Sequence, residues 1–151
     1  MAKMSIVFDG FDKLAAEIEK AGLDVKPAVN EALEETQHYI QQELEQAAQP
    51  YQNGGRKGYA DGNLNNAIIR NPEVEWSGTV ATVGVGFSKE LDWKGFMHSI
   101  FVMYGVPAHG KFNKGYVKDA KIYNAIRGVR TKKQIAEIQK EVMQRYLKMG
   151  R

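Results

Sequence analysis

A repeat of apolar residues at helical spacing between positions 24 and 48 constrains the fold of this chain more than any other sequence feature. Asp24 supplies a side-chain oxygen for an N-terminal cap, and Pro27 is tolerated in the first turn because the early amides have no partner within a helix. The pattern therefore predicts one long helix that ends at about Ala48. Its apolar stripe consists of Val29, Leu33, Ile40 and Leu44.

The opposite face of this helix is acidic and is expected to be solvated or to meet a partner. It carries Glu31, Glu34, Glu35, Glu43 and Glu45. Residues 1–50 hold 4 basic and 10 acidic side chains, whereas residues 111–151 hold 12 basic and 3 acidic ones. Such an asymmetry is typical of a nucleic-acid-binding arm, or of complementary faces that meet between copies of one protein.

Three further segments have helical signals. Apolar spacing from Phe11 predicts an opening helix that ends at Gly22 in a left-handed cap. A short helix is predicted from an Asp119 cap to Gly128 as terminator, with Ile122 and Ile126 one turn apart. The last stretch starts with Thr131 and Gln134 in capping-box spacing, and its apolar face indicates an amphipathic C-terminal helix. That face is formed by Ile135, Ile138, Val142 and Tyr146.

The middle of the chain predicts a small antiparallel sheet. Residues 74–87 alternate valines and Trp76 with small or polar residues around a Ser-Gly turn, which indicates a hairpin. In residues 88–105 the apolar positions follow neither the helical nor the strand period cleanly, and a helix is the favoured interpretation. Residues 49–62 are rich in glycine and predict a flexible loop that becomes ordered against a neighbouring subunit, with Tyr51 and Tyr59 as anchors. The predicted fold class is α+β, with helices at both ends of the chain.

Composition limits the classes of protein that the chain can belong to. Its 151 residues suit one domain over 1–151, and 43% of them are hydrophobic. Cysteine is absent from the sequence, which excludes disulfides, thiolate nucleophiles and the common structural zinc sites. No apolar run approaches the roughly 20 residues that span a bilayer, and the start lacks a secretory signal. We therefore expect a protein kept in the cytoplasm, with no membrane partner.

A search for reactive groups gives no catalytic site and no cofactor or metal site. His38, His98 and His109 have no second metal ligand three or four positions further along a helix, and His109 is better explained as an exposed loop residue than as an acid or base. The segment "NGGRKG" lacks the spacing of a phosphate-binding loop. The serines lack the strand-to-helix elbow of a nucleophile. The residues alone therefore give no argument for hydrolysis.

A basic cluster between positions 111 and 133 has two interpretations. Cations interleaved with Phe112, Tyr116 and Tyr123 are suited to phosphate contacts and base stacking, so a nucleic-acid-binding module or a toxin-type ribonuclease is one alternative. The other is a solvated face, or one that docks on an acidic protein surface. The residues singled out for such contacts are Lys118, Lys121, Arg127 and Arg130.

The order of these elements resembles the small head-tail connector and tail-completion proteins of long-tailed bacteriophages. The segment "FDGFDKLAAEIEKAG" is similar to their opening helix, and "DGNLNNAI" (61–68) is similar to a loop motif of the family, with Asp61 in place of threonine. The segment "VMYGVPAHG" (102–110) corresponds to their glycine-threonine loop. In this chain Gly105 and Gly110 would supply positive φ angles there, and Pro107 would stiffen the turn.

The resemblance implies a structural virion protein of a tailed phage or prophage that is not an enzyme and that is assembled in the host cytoplasm. Related neck and tail-end components form rings, hexameric ones among them, around the channel through which DNA passes. Other neck or tail proteins would be its partners. In a ring the acidic Glu31, Glu34 and Glu35 of one copy would meet the basic cluster of the next, since every interface of a cyclic ring is heterologous.

Overall fold

The long helix predicted from the apolar repeat is the central element of the computed structural model. Helix α1 spans Val25–Ala47, and the Asp24 carboxylate accepts a hydrogen bond of 3.0 Å from the Lys26 backbone N–H. Its predicted apolar stripe is buried. The structure describes residues 4–7, 16–17, 19–20, 22, 24–52, 61–78, 80–107, 115 and 117–149.

A three-stranded antiparallel sheet packs against α1. Strand β1 spans Met4–Val7, β2 spans Glu75–Ser77 and β3 spans Val80–Val85, in the spatial order β1-β3-β2. The β2–β3 pair is the predicted hairpin, with Gly78 at a positive φ in its turn. The sequence does not predict strand β1, because four residues are too few to show an alternating pattern and no turn signal lies next to them. The strand pairs with residues far along the chain.

Two helices flank the β2–β3 hairpin along the chain, one before it and one after it. The short helix α2 spans Asn63–Asn66, and α3 spans Trp93–Tyr104. The helical interpretation of residues 88–105 is thus confirmed for its central part, where the Asp92 carboxylate caps α3 by accepting from the Gly95 N–H at 2.8 Å. Between α2 and α3 an isolated bridge joins Ile68 to Phe87.

The last two helices are close to the prediction, including the Asp119 cap, and they differ from it at Gly128 and Thr131. Helix α4 spans Ala120–Arg127 behind the Asp119 cap, and α5 spans Val129–Met149. Gly128 separates them with a φ of −68°, so it is not a left-handed cap; a Cβ there would lie 2.6 Å from the Asn124 carbonyl oxygen. Thr131 lies inside α5 and its hydroxyl donates to that same carbonyl, so the predicted capping box is wrong.

The core forms where α1 meets β3, α4 and α5. Part of the predicted flexible loop belongs to it, because residues Gln49–Tyr51 form a 3-10 turn that buries Tyr51 completely. The Tyr51 hydroxyl donates to the Asp119 carboxylate at 2.6 Å. The expectation that Tyr51 is ordered against a neighbouring subunit is therefore wrong, since its own subunit provides the pocket. Residues 53–60 of that loop, which include Tyr59, lie outside the described residues.

The predicted opening helix is described in part. Residues 16, 17, 19 and 20 are helical. Gly22 has a φ of 78°, and its N–H donates to the Glu19 carbonyl oxygen at 2.9 Å. This is the predicted left-handed end, and the first residues of the helix lie outside the described part of the chain. None of the helices in that part is both long and apolar enough to span a membrane.

Candidate functional site

The acidic face of α1 has a cationic partner within its own chain. Arg145 on α5 donates to the carboxylates of Glu31 and Glu35, each at 3.1 Å. The hydrogen bond to Glu35, together with the nearby carboxylates, raises the pKa of Arg145 above its ordinary value. A hydrogen bond with Glu31, assisted by burial, raises the pKa of Tyr146. Glu34, the third predicted contact residue, is exposed.

The predicted basic residues lie along α4 and the start of α5. Lys118, Lys121, Arg127 and Arg130 are all exposed. The Lys118 ammonium lies 4.9 Å from the centre of the Tyr123 ring, and Tyr123 makes an edge-to-face contact with Tyr104 at 6.2 Å. Part of the basic cluster is therefore packed on aromatic side chains of its own subunit. Because these rings are uncharged, the cluster keeps its positive charge.

Two of these cations, Lys121 and Arg130, line one groove where α1, α4 and α5 meet. The groove has a volume of about 680 Å³. Its lining includes three small residues, namely Ala47, Ala125 and Gly128. Val129 also lines it and is 71% exposed, so an apolar side chain at the groove is left largely uncovered.

Polar groups of α1 complete the lining of the groove. Tyr39, Glu43 and Gln46 contribute to it. Burial raises the pKa of Tyr39, the negative charge of Glu43 raises it further, and the positive charge of Arg130 opposes both. The groove thus combines cations, acceptor oxygens and small side chains in its lining.

A second surface is an apolar stripe on α3, hereafter the α3 stripe, which consists of Trp93, Met97, Ile100 and Tyr104. These residues are spaced by four, three and four positions, so they follow one side of the helix. Trp93 is 65% exposed and Tyr104 is 56% exposed. The other side of α3, with Val102 and Met103, is buried in the core. Helix α3 therefore has two apolar sides, of which its own subunit covers one.

Close packing at the start of α3 fixes the direction of the α3 stripe. Gly95 lies so close to α2 that a Cβ there would be 2.5 Å from the Asn63 carbonyl carbon. Asp61 reinforces this contact, because its carboxylate accepts from the Asn63 N–H at 3.1 Å and lies 3.7 Å from His98 and 3.8 Å from Lys94. Desolvation would raise the pKa of Asp61, but the Asn63 N–H and these two side chains together lower it.

The turn after α3 has the predicted backbone at its first glycine. Gly105 ends α3 with a φ of 76°, and its N–H donates to the Phe101 carbonyl oxygen at 2.8 Å. Pro107 follows at the surface. Gly110 and His109 lie outside the described residues. Beyond the turn, the Asp119 N–H donates to the Val102 carbonyl oxygen at 2.7 Å, and this hydrogen bond holds the start of α4 against α3.

The histidines and carboxylates of the described residues form no group of three that could hold a metal ion. His38 is on the surface, where its ring lies 3.1 Å from the Gln42 amide nitrogen. His98 is buried beside Asp61. The expectation that the protein uses no metal or cofactor stays a prediction.

The α3 stripe was not singled out from the sequence, although a signal for it exists. The segment fits neither period cleanly because α3 is apolar on two sides. Once a helix is assumed, the spacing of the α3 stripe indicates a second apolar side. The sequence does not tell which of the two sides the subunit covers, and that decides which residues are available to a partner.

Comparisons with protein-family models, with curated proteins and with solved structures found no match for this chain.

Proposed function

We propose that this protein is a structural component that assembles into a ring, as the head-tail connector and tail-completion proteins of long-tailed bacteriophages do. Its place would be at the head-tail junction or at the head-proximal end of the tail, in the virion of a phage or prophage. Its partners would be further copies of itself and other neck or tail proteins. DNA would pass through the channel of the ring.

The observation that carries this proposal is the α3 stripe. Tryptophan, tyrosine and methionine are the residue types that interfaces enrich, and buried tryptophan and tyrosine account for much of the binding energy where proteins associate. Four of the seven large hydrophobic residues exposed in the described part of the chain lie on α3 or just before it: Leu91, Trp93, Ile100 and Tyr104. Such a concentration of apolar surface favours a protein whose function is to bind other protein subunits.

The charge distribution gives weaker support for a ring. Contacts between Glu31, Glu34 and Glu35 of one copy and the basic cluster of the next stay a prediction. Arg145 already binds two of these carboxylates within the subunit. The charge contact would thus depend on Glu34 and on an exchange of partners at the other two, and exposed ion pairs contribute only about 0 to 1 kcal/mol each.

The proposal is tested by the mass and shape of the purified protein. Light scattering coupled to size exclusion should give several times the 17.0 kDa of one chain, and negative-stain images should contain rings. A protein that stays monomeric over the whole accessible concentration range and that also fails to join particles in a cell lysate contradicts the proposal. Because a ring can need a partner to form, the measurement is repeated with the lysate of phage-infected or prophage-induced cells, in which the protein should sediment with particles.

A nucleic-acid-binding module or toxin-type ribonuclease is the second candidate, and the aromatic and basic side chains where α3 meets α4 favour it. Lys118, Tyr123 and Tyr104 lie in contact, and cations beside aromatic rings are suited to single-stranded nucleic acid. The aliphatic members of the α3 stripe, Met97 and Ile100, add nothing to such binding. Binding or cleavage of RNA by a monomer, with an affinity that falls steeply with salt, would favour this candidate over the ring.

A further inference from the structure

We infer that the α3 stripe of one subunit docks into the groove between α1, α4 and α5 of the next subunit, with the Trp93 side chain inserted in the groove. The inference rests on the proposed ring and specifies how its subunits join. Such a contact is heterologous, because it joins two different surfaces, and heterologous contacts close into rings when the rotation between subunits permits.

The position of α4 prevents a subunit from filling its own groove. Helix α4 packs against α3 and also against α1 and α5. The groove is lined by residues of α1, α4 and α5, and none of its lining residues belongs to the α3 stripe. Each subunit therefore offers a projecting apolar surface and a separate recess, which is the combination that a repeating head-to-tail contact requires.

The groove has the chemistry that an indole ring needs. Its small residues, Ala47, Ala125 and Gly128, leave room for a large planar side chain. Arg130 and Lys121 supply cations that are attracted to the face of an aromatic ring, most strongly to that of tryptophan. The Glu43 carboxylate and the Gln46 amide oxygen can accept a hydrogen bond from the indole N–H, which seeks a partner once it is buried.

The α3 stripe has the matching properties. Trp93 is the most exposed of the aromatic side chains in the described residues, and it lies at the first residue of α3. Ile100 and Tyr104 extend the stripe over a length of about 16 Å, since eleven residues of helix rise 1.5 Å each. These two side chains would pack over Val129, which is exposed at the groove in the isolated subunit. One contact would thus bury the largest exposed apolar groups of both surfaces.

The competing possibility is a contact between two α3 stripes about a two-fold axis, because the spacing of the stripe also suits two paired helices. The two arrangements differ in what the groove does. In the docking that we infer, a change in the groove weakens association as much as a change in the stripe. In the two-fold contact, the groove has no effect.

The experiment uses one variant for each surface and a matched control for each variant. Trp93→Ala removes the inserted side chain, and Val80→Thr alters another exposed apolar residue, on β3. Arg130→Glu changes the groove, and Lys132→Glu makes the same charge change two residues further along α5, outside the groove. Ala47→Leu is a second groove variant that fills the recess without changing its charge. All these side chains are exposed or half-buried, and circular dichroism and thermal unfolding check that each variant is folded.

We expect Trp93→Ala, Arg130→Glu and Ala47→Leu to abolish rings, with subunit association weakened about 30-fold or more for Trp93→Ala. Both controls should assemble like the unmodified protein. The decisive sample is an equimolar mixture of Trp93→Ala and Arg130→Glu chains, one with an intact groove and the other with an intact α3 stripe. Native mass spectrometry should find heterodimers in that mixture and no larger rings. Each variant alone should stay monomeric.

Three results would overturn the inference, and they differ in what they say of the ring. If the unmodified protein forms rings and the stripe and groove variants do too, the ring stands and this contact is wrong. If Trp93→Ala disrupts association and both groove variants do not, the α3 stripes pair with each other instead. If the unmodified protein is monomeric both alone and in particle-containing lysate, the ring and the contact fail together.

Discussion

Replacement of Gly95 by alanine is expected to destabilise the protein, against the usual effect of this change within a helix. Gly95 lies in α3, where alanine would ordinarily gain about 0.5 to 1 kcal/mol from its better helix propensity. The added Cβ would overlap the Asn63 carbonyl group, 2.5 Å from its carbon, and would approach the Ala67 Cβ to 3.0 Å. The obstacle is backbone, so no rotamer change relieves it.

The size of the effect follows from the separation that the new contact requires. Carbon atoms pack best at about 3.5 to 4.0 Å, so α3 must move away from α2 by about 1 to 1.5 Å. Overpacking of this kind costs roughly 1 to 3 kcal/mol, and a rigid obstacle places the cost at the upper end. After subtraction of the propensity gain, the free energy of unfolding should fall by about 2 kcal/mol. For a chain of this length that corresponds to a decrease in Tm of about 4 to 8 °C.

The assay is thermal and urea-induced unfolding of Gly95→Ala beside the unmodified protein, with Gly78→Ala as the control. Gly78 has a positive φ and nothing within 4 Å of an added Cβ, so its variant measures backbone strain without a packing clash. A Gly95→Ala variant as stable as the unmodified protein, or more stable, would refute the close contact between α2 and α3. The variant should also weaken assembly, because the same movement shifts Trp93.

Three further predictions concern contacts within the subunit. Tyr51→Phe removes the hydrogen bond to Asp119 from a buried site and should lower the free energy of unfolding by about 1 to 3 kcal/mol in urea titrations; an unchanged midpoint would contradict that bond. Arg145→Ala should lower the Tm at low salt and have little effect at high salt, since Arg145 is exposed and its carboxylate partners are half-buried at the surface; equal losses at both salt concentrations would indicate packing instead. Tyr39→Phe should reduce the loss of stability that the unmodified protein shows above about pH 10. Tyrosine in the unfolded chain ionises there, while burial and Glu43 raise the pKa of Tyr39 in the folded protein. Equal losses of stability in both proteins would contradict this.

Local signals in the sequence were sufficient for the helices that have clear caps. Asp24 and Asp119 cap α1 and α4 as predicted, because a capping carboxylate acts on amides only two residues away. The hairpin was equally readable, since its turn and both strands lie within a dozen residues. These features depend on neighbours along the chain, and tertiary packing had little influence on them.

Features that depend on distant residues could not be read in the same way. Strand β1 exists because β3 offers it an edge, about 80 residues further along the chain. The glycines that follow Tyr51 predict a flexible loop there, yet a pocket closed by Asp119 orders this side chain. The α3 stripe was missed for a related reason, because periodicity shows that a side of a helix is apolar and not whether its own subunit covers it.

The structure also changes what the charge asymmetry of the sequence means. Arg145 uses part of the positive C-terminal region to bind Glu31 and Glu35, so some of the asymmetry serves to hold α5 on α1. Lys121 and Arg130 make no ion pair with the residues that the structure describes. They remain available at the groove, where the inferred contact uses them mainly against an aromatic ring.

The response of a ring to salt separates these two uses of charge. A ring joined by exposed ion pairs should dissociate as the ionic strength rises, since exposed charges are screened beyond about 8 Å at physiological salt. A ring joined by docking of Trp93 in the groove should resist sodium chloride and be strengthened by sulfate, which increases the tendency of apolar surface to be buried. Sedimentation velocity across both salts measures the difference. Dissociation in chloride and in sulfate alike would favour the contact between Glu34 and the basic cluster over the docking of the α3 stripe.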